Sequence, residues 1–220
     1  MDKKISWNLL VLAVVFCVSL IVSNIIAGKI FGVWGQTMTA AVIIFPVVYI
    51  IGDVVPECYG IKTARKVIWL GFAMNLFAVV FFMITLALPY PPFWEGQDAF
   101  HLVLAFTPRL LAASLVAYLA GTNINAMIMV WMKKKTDGKW LWSRTISSTI
   151  VGEAVDTTIF ITLAFAWVFP WHVVVNMIFW QWAFKCIYEI VATPLTYAVI
   201  GWIKKRETEI NPRTGGEITR

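Results

Sequence analysis

The sequence predicts an all-α polytopic membrane protein, a bundle of six transmembrane helices with both termini cytoplasmic. Three observations predict it. The 220 residues are 60% hydrophobic and only 14% charged, with a mean hydropathy of +0.78, far from the balance of a soluble domain. Apolar runs long enough to cross a hydrocarbon core of about 30 Å recur six times, at 7–27, 37–56, 67–88, 110–132, 145–169 and 178–203. The basic residues then fall on alternate connections. Lys3 and Lys4, the group Lys62, Arg65 and Lys66, the group Lys133, Lys134, Lys135, Lys139 and Arg144, and the group Lys204, Lys205, Arg206, Arg213 and Arg220 make fifteen of eighteen on one side. Six spans satisfy the positive-inside rule, whereas five or seven would split these clusters.

Residues 1–203 therefore read as one six-helix transport domain and 204–220 as a cytoplasmic polar tail. The first run is too long for a signal core and is followed by more membrane, so it is expected to stay in the mature chain. The net charge of +6 is an address for membrane topology and argues for no nucleic-acid partner, because the cations sit beside span ends. Most of the tryptophans fall near span ends, as aromatic belts do. Cys17, Cys58 and Cys186 have no metal-ligand spacing and read as small packing residues.

Taken in order, segment 1 ends in Ser23-Asn24, polar residues that bond across helices or close the helix. Segment 2 carries Pro46 and Pro56, each of which removes a backbone donor, and the acids Asp53 and Glu57 at i and i+4 on one face. Segment 3 is scaffold apart from Asn75. A proline-rich aromatic turn follows at 89–97. Segment 4 opens with Pro108-Arg109 and continues through Ala112-Ala113-Ser114, Ala117-Tyr118 and Gly121-Thr122-Asn123-Ile124-Asn125, small residues that let helices approach closely. Segment 5 holds Glu153 and Asp156, and segment 6 holds Gln181, Lys185, Glu189 and Pro194, with Lys185 and Glu189 spaced to pair along one helix.

Charged side chains in hydrocarbon cost several kcal/mol and mark substrate or ion paths. Asp53 lies nine residues before Lys62 and Glu153 nine after Arg144, so both are on the order of 13 Å deep at ~1.5 Å per residue. Lys185 and Glu189 reach the same layer from the outer side. Asp53, Glu57, Glu153, Asp156 and Glu189 are thus expected to gather against Lys185 around a wet central site, with Arg109 nearer the outer edge. Such a site suits a ligand that presents hydrogen-bond donors or positive charge. No nucleophile and base pair, zinc-type cluster, phosphate loop or dinucleotide fingerprint is present, so neither enzyme chemistry nor a cofactor is expected.

The motifs Asp53-x-x-x-Glu57-x-Tyr59-Gly60, Arg109 with Ala113-Ser114 and Ala117-Tyr118, Gly152-x-x-x-Asp156-Thr157, and Lys185 followed by Pro194-x-x-Tyr197 resemble, in order and spacing, the queuosine precursor transporter family. These are single-chain six-helix proteins of the bacterial cytoplasmic membrane, and the resemblance spans roughly residues 20–200. One departure stands after Ala120-Gly121, where many relatives carry Gln with Asp or Asn three residues on and this chain has Thr122 and Asn125. The resemblance implies uptake of 7-deazaguanine bases, the cyano and aminomethyl precursors preQ0 and preQ1. Asp53, Glu57 and Asp156 are expected to hold the donor edge of the base, with Lys185 balancing charge or meeting ring acceptors. Glu153, Glu189, Arg109 and Asn125 complete the candidate set, and Tyr59, Tyr118 and Tyr188 are candidates for an aromatic wall. The partners expected are the small-molecule base and the lipid bilayer, and homo-oligomers stay open. The alternatives are a substrate-binding subunit of a modular vitamin importer and a small intramembrane enzyme.

Overall fold

A computed structural model describes residues 6–135 and 141–210, without the side chains of 133, 141–145 and 207–210. Lys3, Lys4, Lys139, Trp140, Arg213 and Arg220 lie outside the described residues. The chain runs α1 (Trp7–Ile26), β1 (Ile30–Val33), β2 (Gln36–Thr39), a 3-10 turn (Ala40–Ile43), α2 (Phe45–Tyr59), α3 (Ile61–Leu86), α4 (Gln97–Leu104), α5 (Thr107–Lys135), α6 (Leu141–Phe165) and α7 (Trp171–Ile210). Five stretches, Trp7–Ile26, Ile61–Leu86, Gln97–Met132, Ile146–Phe165 and Trp171–Arg206, are long and apolar enough to cross a membrane. With α2 they make the expected six-membered all-α bundle. α7 continues past residue 203 to Ile210, so the tail begins as helix.

The second segment corrects the sequence reading. Residues 37–56 are expected as one span, yet helix starts only at Phe45 and covers 15 residues, about 22 Å at ~1.5 Å per residue. The residues before it form the 3-10 turn and an antiparallel hairpin in which Val33 pairs with Gln36 and Ile30 with Thr39. Its two-residue turn, Trp34-Gly35, has positive φ at both positions (51° and 82°), the twist that joins two strands tightly. Non-helical backbone at membrane depth is tolerated where protein covers it, and here α7 covers it. Asn176 Oδ1 accepts from the Thr37 amide and hydroxyl, both at 2.8 Å. Gln181 Oε1 accepts from the Thr39 amide at 3.3 Å and the Thr39 hydroxyl at 2.9 Å. Thr39 and Gln181 are fully buried, so the strand is fastened to the wall of the bundle.

Pro46 sits in the first turn of α2, where its missing N–H costs nothing, and Gly60 at φ 82° lets the chain reverse into α3. The start of α1, the end of α2 and the end of α7 meet at one end of the bundle. Cys58, Val54 and Ile203 form a buried cluster there with Leu12 packed on it, and the Ser6 and Tyr59 hydroxyls lie 3.5 Å apart. At the opposite end Ala27, Leu110, Ala113, Ile161, Phe165, Val174 and Met177 build the largest apolar core. Trp7, Trp34, Trp131, Trp167 and Trp171 are exposed at or beside helix ends or the hairpin turn, and Trp69 and Trp202 are exposed farther inside α3 and α7, in keeping with aromatic belts.

Candidate functional site

Between those two apolar ends lies a cavity of about 350 Å³ walled by α1, α2, α3, α5, α6 and α7. Two helix crossings shape it. On α5 and α6, Gly121 and Gly152 face one another: a methyl on Gly121 would stand 2.8 Å from Asp156 Cβ and 3.0 Å from the Gly152 carbonyl, and one on Gly152 would stand 2.9 Å from Asn125 Cβ. Only glycines allow this approach, which seats Asn125 and Asp156 on the cavity wall. On the other side Gly71 of α3 lies under Phe16 and Leu20 of α1, where a methyl would sit 2.6 Å from Leu20 Cδ1.

The polar centre is Lys185 of α7, which is 5% exposed. Its Nζ donates to Asp156 Oδ2 at 2.6 Å and lies 3.1 Å from Glu153 Oε2. Glu153 Oε2 also accepts from the Tyr49 hydroxyl at 3.2 Å. The ammonium lies 5.2 Å from the Phe45 ring centroid and 6.0 Å from that of Tyr49, so α2, α6 and α7 meet on one cation. Asp53, one turn beyond Tyr49 on α2, also lines the cavity. Pro56 denies the Gly52 carbonyl its helical partner, and Gly52 is another lining residue.

Deeper in, Asn24 Nδ2 donates to Asn75 Oδ1 and to the Thr107 carbonyl, both at 3.2 Å, and Asn75 Nδ2 donates to the Leu20 carbonyl at 3.4 Å. These amides tie α1, α3 and α5 together and leave polar atoms at the closed end. Tyr118 and Phe72, 5.6 Å apart by centroid, supply an aromatic wall. Gly52, Asp53 and Thr122 are exposed while Asn24, Ala27 and Asn75 are buried. The cavity therefore opens toward the end where α2 stops and α3 begins, and is closed toward the hairpin.

Of the residues singled out from sequence, the fold brings together Asp53, Glu153, Asp156, Lys185, Asn125 and Tyr118 on this one cavity. The others lie elsewhere. Glu57, one turn past Asp53, accepts a hydrogen bond from Lys204 Nζ at 2.5 Å with 56% of its side chain exposed. Arg109 closes the end of α6, donating from Nε to the Leu163 carbonyl at 2.7 Å and from Nη2 to the Ala166 carbonyl at 2.6 Å, where a cation also suits the helix dipole. Tyr59 packs at the α1, α2 and α7 junction. Glu189 lies one turn past Lys185 on α7, half-buried and outside the cavity lining, and Tyr188 stacks on Phe184. Tyr49, Phe45 and Phe72 line the cavity without having been singled out. Tyr49 was findable, since it stands at i−4 from Asp53 and so shares its helix face.

A family model described as "Putative vitamin uptake transporter" matches residues 39–199, from β2 through most of α7. The chain belongs to that family. The matched stretch of this chain contains all four charged residues of the cavity, and the family description together with the five long apolar helices makes the chain a multi-pass membrane transporter. Among curated relatives, the chain is 27% identical over 178 residues to the "Probable queuosine precursor transporter" of Bacillus subtilis (strain 168), covering 80% of this chain and 77% of that one. It is 27% identical over 121 residues to the "Queuosine precursor transporter" of Escherichia coli (strain K12), covering 55% of this chain and 52% of that one. A "Probable queuosine precursor transporter" of Haemophilus influenzae is 26% identical, covering 60% and 51% respectively. The chain thus spans about half the length of the latter two. The family resemblance read from the motifs is borne out by these matches. No solved structure matches the chain.

Proposed function

We propose that this protein imports queuosine precursors, 7-deazaguanine bases, across a bacterial cytoplasmic membrane through the cavity centred on Lys185. The observation that carries the reading is a buried ammonium gripped by two acids in the wall of a cavity of about 350 Å³, at the compact end of the ~300–1,000 Å³ typical of small-molecule sites. That volume favours a two-ring base over an extended vitamin. The lining matches such a base in kind. A guanine-like edge offers a ring N–H and an exocyclic amine, which one carboxylate accepts side by side, and Asp156, Glu153 and the Asn125 amide supply the acceptors. Lys185 meets ring acceptors or balances charge. Tyr118, Phe72 and Tyr49 offer ring faces.

The positive-inside rule puts the Lys62, Arg65 and Lys66 end in the cytoplasm, so this conformation is open inward and both termini are cytoplasmic. The hairpin and the Phe165 core form the outward closure, and alternating access requires them to part.

The test is uptake of labelled 7-aminomethyl-7-deazaguanine into proteoliposomes that contain this chain alone. Saturable uptake lost in Asp156→Asn and Lys185→Ala supports the proposal, and unchanged uptake in both removes these residues from the path. The family description favours one second reading, a substrate-binding subunit of a modular vitamin importer. Transport that appears only with an added membrane partner and ATPases would establish that reading instead.

A further inference from the structure

The following inference deepens the proposed function and rests on its reading of the cavity. Three carboxylates, Asp53, Glu153 and Asp156, line the cavity against one cation, Lys185. That cation is fully engaged, with Asp156 at 2.6 Å, Glu153 at 3.1 Å and the Phe45 and Tyr49 rings around it. The triad of Lys185, Asp156 and Glu153 therefore sums to one negative charge. Asp53 adds a second, with no hydrogen bond or ion pair among the described residues. Of the other cations, Arg109 is committed to the carbonyls of Leu163 and Ala166 and Lys204 to Glu57, while Arg65 is exposed on the Tyr118 side of the mouth.

We propose that the cavity selects a base carrying one protonated amine over its neutral counterpart, and that Asp53 is the specificity-determining residue. The unpaired Asp53 carboxylate stands at the exposed mouth of this net-negative cavity, and a cationic solute gains a charge-assisted contact with it that a neutral solute of the same shape does not. Position agrees with charge. Tyr49 touches Glu153, and Asp53 stands one helical turn farther along α2, about 6 Å nearer the open mouth. A base with its donor edge on the Asp156 and Glu153 side thus leaves Asp53 for an ammonium on a side arm. The Tyr49 and Tyr118 rings add faces that attract a cation.

Two labelled bases that share one ring system, 7-aminomethyl-7-deazaguanine (protonated amine) and 7-cyano-7-deazaguanine (neutral), are compared in proteoliposomes of the full chain at neutral pH. The wild type is expected to take up the aminomethyl base with at least about tenfold higher efficiency, equivalent to about 1.4 kcal/mol. Asp53→Asn is expected to bring the ratio near one by losing the aminomethyl base, and Asp53→Glu to keep it. A wild-type ratio near one, or an Asp53→Asn variant that lowers both bases equally, overturns the assignment while leaving deazaguanine uptake standing. Transport of neither base overturns the proposed function and this inference together. If Asp53→Asn does not elute as a folded protein, the ratios of the wild type and Asp53→Glu decide.

Discussion

Replacing Lys185 by methionine keeps the volume of the side chain and removes its charge. Asp156 and Glu153 would then face each other in the wall of the cavity without the ammonium that lies 2.6 and 3.1 Å from them. Removing one partner of a buried ion pair costs about 3–5 kcal/mol, because the charge left behind is uncompensated. The two carboxylate side chains are 25% and 20% exposed to the cavity, so water offsets part of this and the lower figure, ~3 kcal/mol, applies. For a chain of this length such a loss corresponds to about 6–12 °C in Tm. Thermal unfolding of purified protein in detergent, followed by tryptophan fluorescence, reads it directly. The double variant Lys185→Met with Asp156→Asn should recover much of the loss, since it removes a cation and an anion together. Were Lys185→Met to melt with the wild type, or the second substitution to add a further independent loss, the cluster would not be the electrostatic centre of the fold.

Gly121→Leu should destabilise the protein by about 1–3 kcal/mol and abolish uptake, because backbone and Asp156 Cβ block even its first carbon; fluorescence unfolding and proteoliposome flux check both parts. Gln181→Leu removes the acceptor for the Thr39 amide and hydroxyl, a cost of about 1–3 kcal/mol for buried donors left unpaired. Hydrogen exchange should then rise selectively at 36–39. Glu57→Gln breaks an exposed pair with Lys204, worth about 0–1 kcal/mol, and should leave uptake unchanged, in contrast to Asp53→Asn.

The contrast between Asp53 and Glu57 shows how far the sequence carries. Their i, i+4 spacing places them on one helix face, and that reading is right for direction. It says nothing of where the cavity ends. α2 is short, so its last turn already reaches the level where α7 becomes basic, and one turn separates a cavity acid from a surface ion pair. Burial of the Gly121 and Gly152 crossing was legible as a run of small residues, and Asp156 with Lys185 as opposite charges at a common depth. The hairpin was not, because hydropathy scores Ile30–Val33 and Gln36–Thr39 without regard to backbone form. Its signal was the clustering of β-branched Val33, Thr37 and Thr39 around Trp34-Gly35. Arg109 stood out as the arginine beyond the basic clusters, yet its partners are the Leu163 and Ala166 carbonyls at and just past the end of α6, which no spacing in the sequence announces.

The central claim is that the Lys185 cavity holds the transported base. Equilibrium binding of labelled 7-aminomethyl-7-deazaguanine to the purified wild type and to Ser114→Trp, which projects an indole into the cavity from the lining position Ser114, tests it most directly. Saturable binding to the wild type, competed by unlabelled base and lost in a folded Ser114→Trp, is the predicted result. Undiminished binding with the cavity filled would contradict it.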